Sequence, residues 1–173
     1  MWFIIILIVV VIVVKVKKTV DKAKNEQLDR ERIEKKKKAQ TEAKARFEVI
    51  TDAEKQKLLA CGEDVLSTTL NAFNKAIKGD ADAMLFMAIT YQAKIQNAKK
   101  SAYWMQKSSD AGSSDSKYWL GEFYVSGYGV PQDRVKGVSL IMDAAREGNK
   151  KAIQSLKENG MSVAEMRSVG IPV

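Results

Sequence analysis

Residues 112–148 read GSSDSKYWLGEFYVSGYGVPQDRVKGVSLIMDAAREG. A small polar start leads into an apolar stripe carrying Leu120, Gly121 and Tyr124, then a Gly-Tyr-Gly-Val-Pro loop at 127–131. A second stripe follows, through Leu140 and Ala144-Ala145, and closes on Gly148. The pattern predicts two antiparallel helices joined by a tight loop. Asp133 stands where a helix N-cap is wanted, and Gly148 where a residue with φ > 0 ends a helix cheaply. The pattern also occurs upstream: GDADAMLFMAITY, Gly79–Tyr91, aligns with Gly112–Tyr124 at an offset of 33. Past a three-residue insertion the offset is 36, with Lys100-Ser101-Ala102-Tyr103-Trp104 over Lys136-Gly137-Val138-Ser139-Leu140. A third register starts at Gly148, where Leu156 takes the place of Leu120. Hairpins of this kind bury little alone and stack into a solenoid.

Within each unit, Ala83, Met87, Ala88 and Tyr91 mark one face of the first helix, and Ser116, Leu120, Gly121 and Tyr124 repeat it. These residues resemble the Sel-like repeat (SLR), a relative of the tetratricopeptide hairpin. The second unit carries the family's Leu120-Gly121, Tyr124, Gly127, Gly129-Val130, Asp133, Lys136, Ala144-Ala145 and Gly148. It departs at Leu140, where the family has Trp, and at Ser116 and Gly137, where alanine is usual. The first unit keeps Ala83, Tyr91, Lys100, Trp104 and Gly112, lacks the glycine loop and has Asn97 for the Asp. The resemblance covers residues 63–157. It implies an all-α fold, an α/α solenoid of helix hairpins, and a non-catalytic scaffold for protein–protein assembly without naming the partner. It equally leaves room for an immunity or inhibitor protein that neutralises a toxic secreted effector enzyme.

By the same resemblance Tyr91, Trp104 and Tyr124 fall on core positions. Phe86 and Trp119 fall where the family places a polar residue. They lie 33 apart, equivalent on successive first helices, and are expected to align along the concave side. There they either anchor a protein partner as hot-spot aromatics or are covered by the chain's own flanking helix or tail.

Upstream the composition changes twice. Residues Trp2–Val14 (WFIIILIVVVIVV) hold no charge, and Lys15, Lys17 and Lys18 follow them. Sixteen helical residues reach about 24 Å, short of a ~30 Å hydrocarbon core; snorkelling lysines and local thinning close the gap. Trp2 and Phe3 would sit at the far interface. The run lacks the basic start and small-x-small site of a cleaved signal, so an uncleaved transmembrane anchor is expected. Positive charge on its C-terminal side alone is expected to leave the rest in the cytoplasm of a single-pass protein, and the resemblance implies a bacterial inner membrane; a periplasmic domain is the alternative, and would suit the inhibitor role.

From Asp21 to Arg46 there is no Gly or Pro, and Glu26/Arg30, Glu31/Lys35, Glu34/Lys38 and Glu42/Arg46 are spaced for i,i+4 ion pairs. Leu28 and Ile33 are five apart and sustain no heptad seam, so a single solvated helix is expected. Residues 15–46 hold 13 Lys+Arg and 6 Asp+Glu, +7 of the chain's net +8. That basic strip carries no aromatic for base stacking, so nucleic acid is not expected; anionic lipid is a possible contact.

The remaining composition narrows the chemistry. Among 173 residues there is no His and one Cys, which removes imidazole catalysis, disulfide frameworks and four-cysteine zinc sites. No cofactor or metal is expected. Leu58-Leu59-Ala60-Cys61 spells a lipobox, but Glu54, Lys55 and Lys57 break the apolar run it needs, and a buried or half-buried thiol is expected instead. Asp80 and Asp82 begin a helix, where acids complement the dipole. Thr51-Asp52-Ala53-Glu54 and Ser162-Val163-Ala164-Glu165 read as capping boxes. The helix at 63–78 is expected to bury Val65, Leu66, Leu70, Phe73 and Ile77. The chain thus divides into an anchor (1–16), a charged stalk (17–50), N-terminal capping helices or a half-repeat (51–78), a degenerate unit (79–111), a second unit (112–147), and a partial repeat with a cap (148–173).

Overall fold

The computed structural model describes residues 2–173, except for the side chains of 3–14, 16, 19–20, 39–40 and 42–46. Every regular element described is helical: α1 (Trp2–Phe47), α2 (Asp52–Ala60), α3 (Glu63–Ala76), α4 (Ala81–Thr90) running into a π turn (Tyr91–Ile95), α5 (Ala98–Asp110), α6 (Ser114–Ser126), α7 (Arg134–Arg146), α8 (Lys150–Glu158) and α9 (Val163–Ser168). Two compact units divide between Val49 and Ile50.

The first unit is α1. Its side chains from Asp21 to Lys38 are exposed, Leu28 and Ile33 included, as a solvated helix without a heptad seam should be. The ion pairs differ from those expected. Lys22 meets Glu26 and Asp29 meets Arg32, each at 3.9 Å, rather than Glu26/Arg30, Glu31/Lys35 or Glu34/Lys38; Glu42/Arg46 lies outside the described side chains. Exposed pairs contribute only ~0–1 kcal/mol, so sequence spacing does not select among them. The helix stops at Phe47, not at residue 50, because Ile50 buries its side chain in the second unit and Thr51 caps α2. Trp2, Lys15, Lys17 and Lys18 are exposed. Phe3 and the rest of the apolar run to residue 14 lie outside the described side chains. Among the described residues no helix is long and apolar enough to cross a membrane.

The second unit is built from one turn used repeatedly. Gly79, Gly112 and Gly148 take φ of +104°, +95° and +84° after α3, α5 and α7. The next amide reaches back six residues, counted inclusively: Asp80 to Lys75, Ser113 to Ser108, Asn149 to Ala144, at 3.3, 3.1 and 3.0 Å. This is the Schellman closure. The residue that donates that bond then caps the following helix, with the side chains of Asp80, Ser113 and Asn149 accepting from the amides of Ala83, Ser116 and Ala152. One glycine and one capping side chain therefore reverse the chain three times with the same wiring. The register follows: Ala83 and Met87, Ser116 and Leu120, Ala152 and Leu156 are all buried.

Helices α4–α5 and α6–α7 pack as hairpins, and α3–α4, α5–α6 and α7–α8 join successive ones. Between hairpins, buried Ser116 Oγ bonds Ser108 Oγ at 2.6 Å, and Ser108 Oγ donates to the Ala81 carbonyl at 2.7 Å. Where α6 crosses α7, a Cβ on Gly121 would lie 2.8 Å from the Gly137 carbonyl oxygen. Gly121 and Gly137, which stand where the first unit has Ala88 and Ser101, let the backbones approach. Apolar packing consequently splits into one cluster from Ile50 to Phe123, centred on Trp104, Tyr91 and Met87, and another from Ile141 to Ile171.

The hairpin loops differ. In 112–147 the loop folds back on the preceding unit: Gly129 has φ +70°, and a Cβ there would sit 2.1 Å from the Ala98 carbonyl oxygen. In 79–111 the shorter connection is the π turn, with Gln96 in the left-handed region at φ 58°. Both end on an equivalent cap, Asn97 accepting from the Lys100 amide at 3.1 Å and Asp133 from Lys136 at 2.9 Å. Helix α2 packs on α3 and on the π turn, where the Lys57 ammonium donates to the Ile95 carbonyl at 3.0 Å. Both expected capping boxes form, at Thr51/Glu54 and Ser162/Glu165. Met166 and Ile171 close the C-terminal end of the core.

Two expectations are corrected. Ile77 is 49% exposed; it follows the last turn of α3, and Thr69 and Ala76 take the buried face instead. Cys61 is exposed, because it caps the C-terminus of α2 at the turn into α3 rather than facing Leu58's side of the helix.

Candidate partner-binding surface

Phe86 and Trp119 are each partly exposed, at 39% and 37%, with α3 beside the first and Lys151 of α8 over the second. Their surroundings differ, however. Phe86, with the exposed Ile89, walls an apolar hollow of about 330 Å³ between α3 and the end of α4, floored by Val65 and Thr69 and edged by Asp64 and Lys94. Trp119 lies against Tyr118, with ring centroids 5.1 Å apart, and under the Lys151 ammonium of α8 at 5.5 Å. Lys151 also reaches Asp115, at 4.0 Å. Equivalent repeat positions thus meet different neighbours. The cause is local: α4 runs into the π turn beside α3, whereas α6 faces α8.

A larger cleft of about 1210 Å³ opens among α6, α7, α8 and α9. Tyr118, Glu122, Ile141, Met142 and Glu165 are among its walls. Burial, and then the nearby Glu122, push the Tyr118 phenol above its ordinary pKa, against a lowering hydrogen bond with Ser155. Its wall mixes apolar side chains with charges of both signs, Glu122, Glu158 and Glu165 alongside Lys150 and Lys151. The Lys117–Glu147 ion pair ties α6 to the end of α7.

Sequence reasoning missed a buried polar cluster. Glu54 Oε2 accepts from the Lys100 ammonium at 2.8 Å, from the Tyr91 hydroxyl at 3.5 Å and from the Thr51 amide at 2.9 Å. The Glu54 and Lys100 side chains are 10% and 7% exposed. Burial, then the Glu54 charge and hydrogen bond, push the Tyr91 phenol well above the ordinary phenol range. The cluster lines neither the hollow nor the cleft and joins α2 to α5. The capping-box spacing marked Glu54 and the motif marked Lys100, but nothing in the order of residues links positions 46 apart. The second unit carries the equivalent pair with Lys136 exposed and Tyr124 half-buried against the core, the Lys136 ammonium donating to the Tyr124 hydroxyl at 2.7 Å and lying 4.0 Å from its ring centroid. Among the described residues no group of three or more acidic or Cys side chains stands together to hold a metal.

No family model matches the chain, and no curated protein matches it. The chain is similar to a Sel1 repeat protein. That protein, from Oxalobacter formigenes, is known from a crystal structure; the similarity has 33% sequence identity and a TM-score of 0.46, and covers 49% of this chain and 25% of that one. This chain therefore matches only a quarter of that protein's length.

Proposed function

We propose that this chain is a non-catalytic scaffold, anchored in a membrane by residues 1–16, that holds a protein partner on the exposed side chains of its helical hairpins. The observation that carries the reading is the exposure of Phe86 and Trp119, two large aromatics at one repeat position, the first walling an apolar hollow. Exposed aromatics beside a pocket are the usual anchors of a protein interface. The buried Glu54–Lys100–Tyr91 cluster joins α2 to α5 and lines neither the hollow nor the cleft.

The tether rests on the uncharged run before Lys15. Beyond the anchor, residues 17–47 of α1 extend about 46 Å at ~1.5 Å per residue, and tethering raises the local concentration of whatever the hairpins bind. Its basic strip, Lys35–Lys38 included, adds contact with anionic lipid.

Affinity capture from membranes tests the reading: a protein retained by wild type and lost in the Phe86→Ala/Trp119→Ala double variant supports it. If the double variant retains the same protein to the same extent, those side chains do not form the interface. A C-terminal reporter active only in the cytoplasm fixes the topology. Activity only in the periplasm would reverse it and favour neutralisation of a toxic enzyme.

A further inference from the structure

We propose that Lys136 and Tyr124 form a recognition site for an acidic side chain of the protein partner, an inference that rests on the scaffold reading above. The two hairpins contain the same pair in the same register. Tyr91 and Tyr124 each fall eleven residues after the cap of their first helix, Asp80 and Ser113. Lys100 and Lys136 each fall three after the cap of their second, Asn97 and Asp133.

The first hairpin shows what such a pair holds. Lys100 donates to the Glu54 carboxylate at 2.8 Å and the Tyr91 hydroxyl donates to the same oxygen at 3.5 Å, with the ammonium 5.2 Å from the ring centroid. Helix α2 delivers that carboxylate to the first hairpin only. In the second, no described carboxylate lies within ion-pair distance of Lys136. Its ammonium settles on Tyr124 instead, closing to 4.0 Å from the ring centroid and 2.7 Å from the hydroxyl.

The phenol oxygen accepts from the ammonium, so its own proton and the remaining ammonium protons point elsewhere. These are the donors that Glu54 engages in the first hairpin. Lys136 is exposed, unlike the buried Lys100, so the site opens to a second molecule. The nearby acid, Asp133, already has its carboxylate turned to the Lys136 backbone amide at 2.9 Å. The matching ligand is therefore a Glu or Asp side chain.

The test uses the full chain in detergent micelles with ring-labelled tyrosine. The Tyr124 signal is assigned as the one lost in Tyr124→Phe, and the chain is titrated with N-acetyl-glutamate methylamide or its glutamine counterpart. A saturable Tyr124 shift with the glutamate compound, absent with glutamine and weakened at least about fivefold in Lys136→Met, is expected; fivefold corresponds to about 1 kcal/mol, the upper range of an exposed ion pair. Lys136→Gln gives a second variant should Lys136→Met lose its fold. Equal shifts from both compounds, or a Lys136 variant that is folded and binds as wild type, overturn the site. Partner capture run alongside separates the two claims. Capture that depends on Phe86 and Trp119 without glutamate preference at Tyr124 sinks this inference alone. Wild type capturing nothing while the glutamate shift persists sinks the scaffold reading.

Discussion

Replacing Glu54 with glutamine takes away the carboxylate that meets Lys100 at 2.8 Å while keeping the side chain's shape. With Glu54 and Lys100 side chains 10% and 7% exposed, solvent screening is slight, and removing one member of a buried pair costs about 3–5 kcal/mol. The lower end applies here, because the amide oxygen of glutamine still accepts from the Thr51 amide and the Lys100 ammonium keeps the Tyr91 hydroxyl at 3.5 Å. Lys100→Met should cost a similar ~3 kcal/mol by stranding the Glu54 charge. Together they remove both charges, so the double variant should lose only about 3 kcal/mol rather than about 6, a coupling near 3 kcal/mol. Urea unfolding of the full chain, followed by the near-ultraviolet circular dichroism of the buried aromatics around Trp104, measures this. With a slope of about 2 kcal/mol/M, each single substitution moves the midpoint down by about 1.5 M. If the losses of the two single variants simply add in the double, the pair is not coupled and the link between α2 and α5 must be apolar.

Other consequences can be measured on the same chain. Gly129→Ala should cost about 3 kcal/mol or more in urea unfolding, since its Cβ would meet the Ala98 carbonyl oxygen at 2.1 Å; Gly148→Ala, with open space around it, should cost only the ~1 kcal/mol of a left-handed alanine. Gly137→Ala drives a Cβ to 2.7 Å from the Gly121 carbonyl oxygen and should destabilise by about 2 kcal/mol while leaving far-ultraviolet helicity intact. The fold raises the Tyr91 phenol above its ordinary pKa near 10, so its contribution to stability is complete below pH 10 and falls as pH climbs above it. Phenolate absorbance at alkaline pH should therefore include one tyrosine that ionises only as the near-ultraviolet signal is lost, and Tyr91→Phe should remove that step. Phe86→Ala and Trp119→Ala, both on exposed residues, should each change stability by less than about 1 kcal/mol and act on partner capture.

The hairpins were legible because their instructions are local. A glycine at 79, 112 or 148 needs only its own freedom of φ to close the Schellman turn, and Asp80, Ser113, Asn149, Asn97 and Asp133 need only the amide three residues on. The buried register of Ala83, Met87, Ser116 and Leu120 follows from helical periodicity once those ends are set. Ile77 was misjudged because the same periodicity, run past the end of α3, assigns a face to a residue no longer in the helix. Cys61 was misjudged for a similar reason, since it turns the chain rather than continuing α2. The hollow at Phe86 was not visible, because it depends on a π turn that the loss of the glycine loop imposes beside α3.

By itself the sequence determined the helices, their caps, the repeat of 33 and 36 residues, the basic strip, and the positions that needed to be small or apolar. Each is decided by φ preference, hydrogen bonds a few residues long, or periodicity. Tertiary structure alone decided that Glu54 completes the Lys100–Tyr91 pair while Lys136 stays exposed on the half-buried Tyr124, and that Phe86 and Trp119 meet different neighbours. Those outcomes depend on which helix lies beside which, through contacts tens of residues apart. Two copies of one local pattern therefore acquired different surroundings, and with them different chemistry.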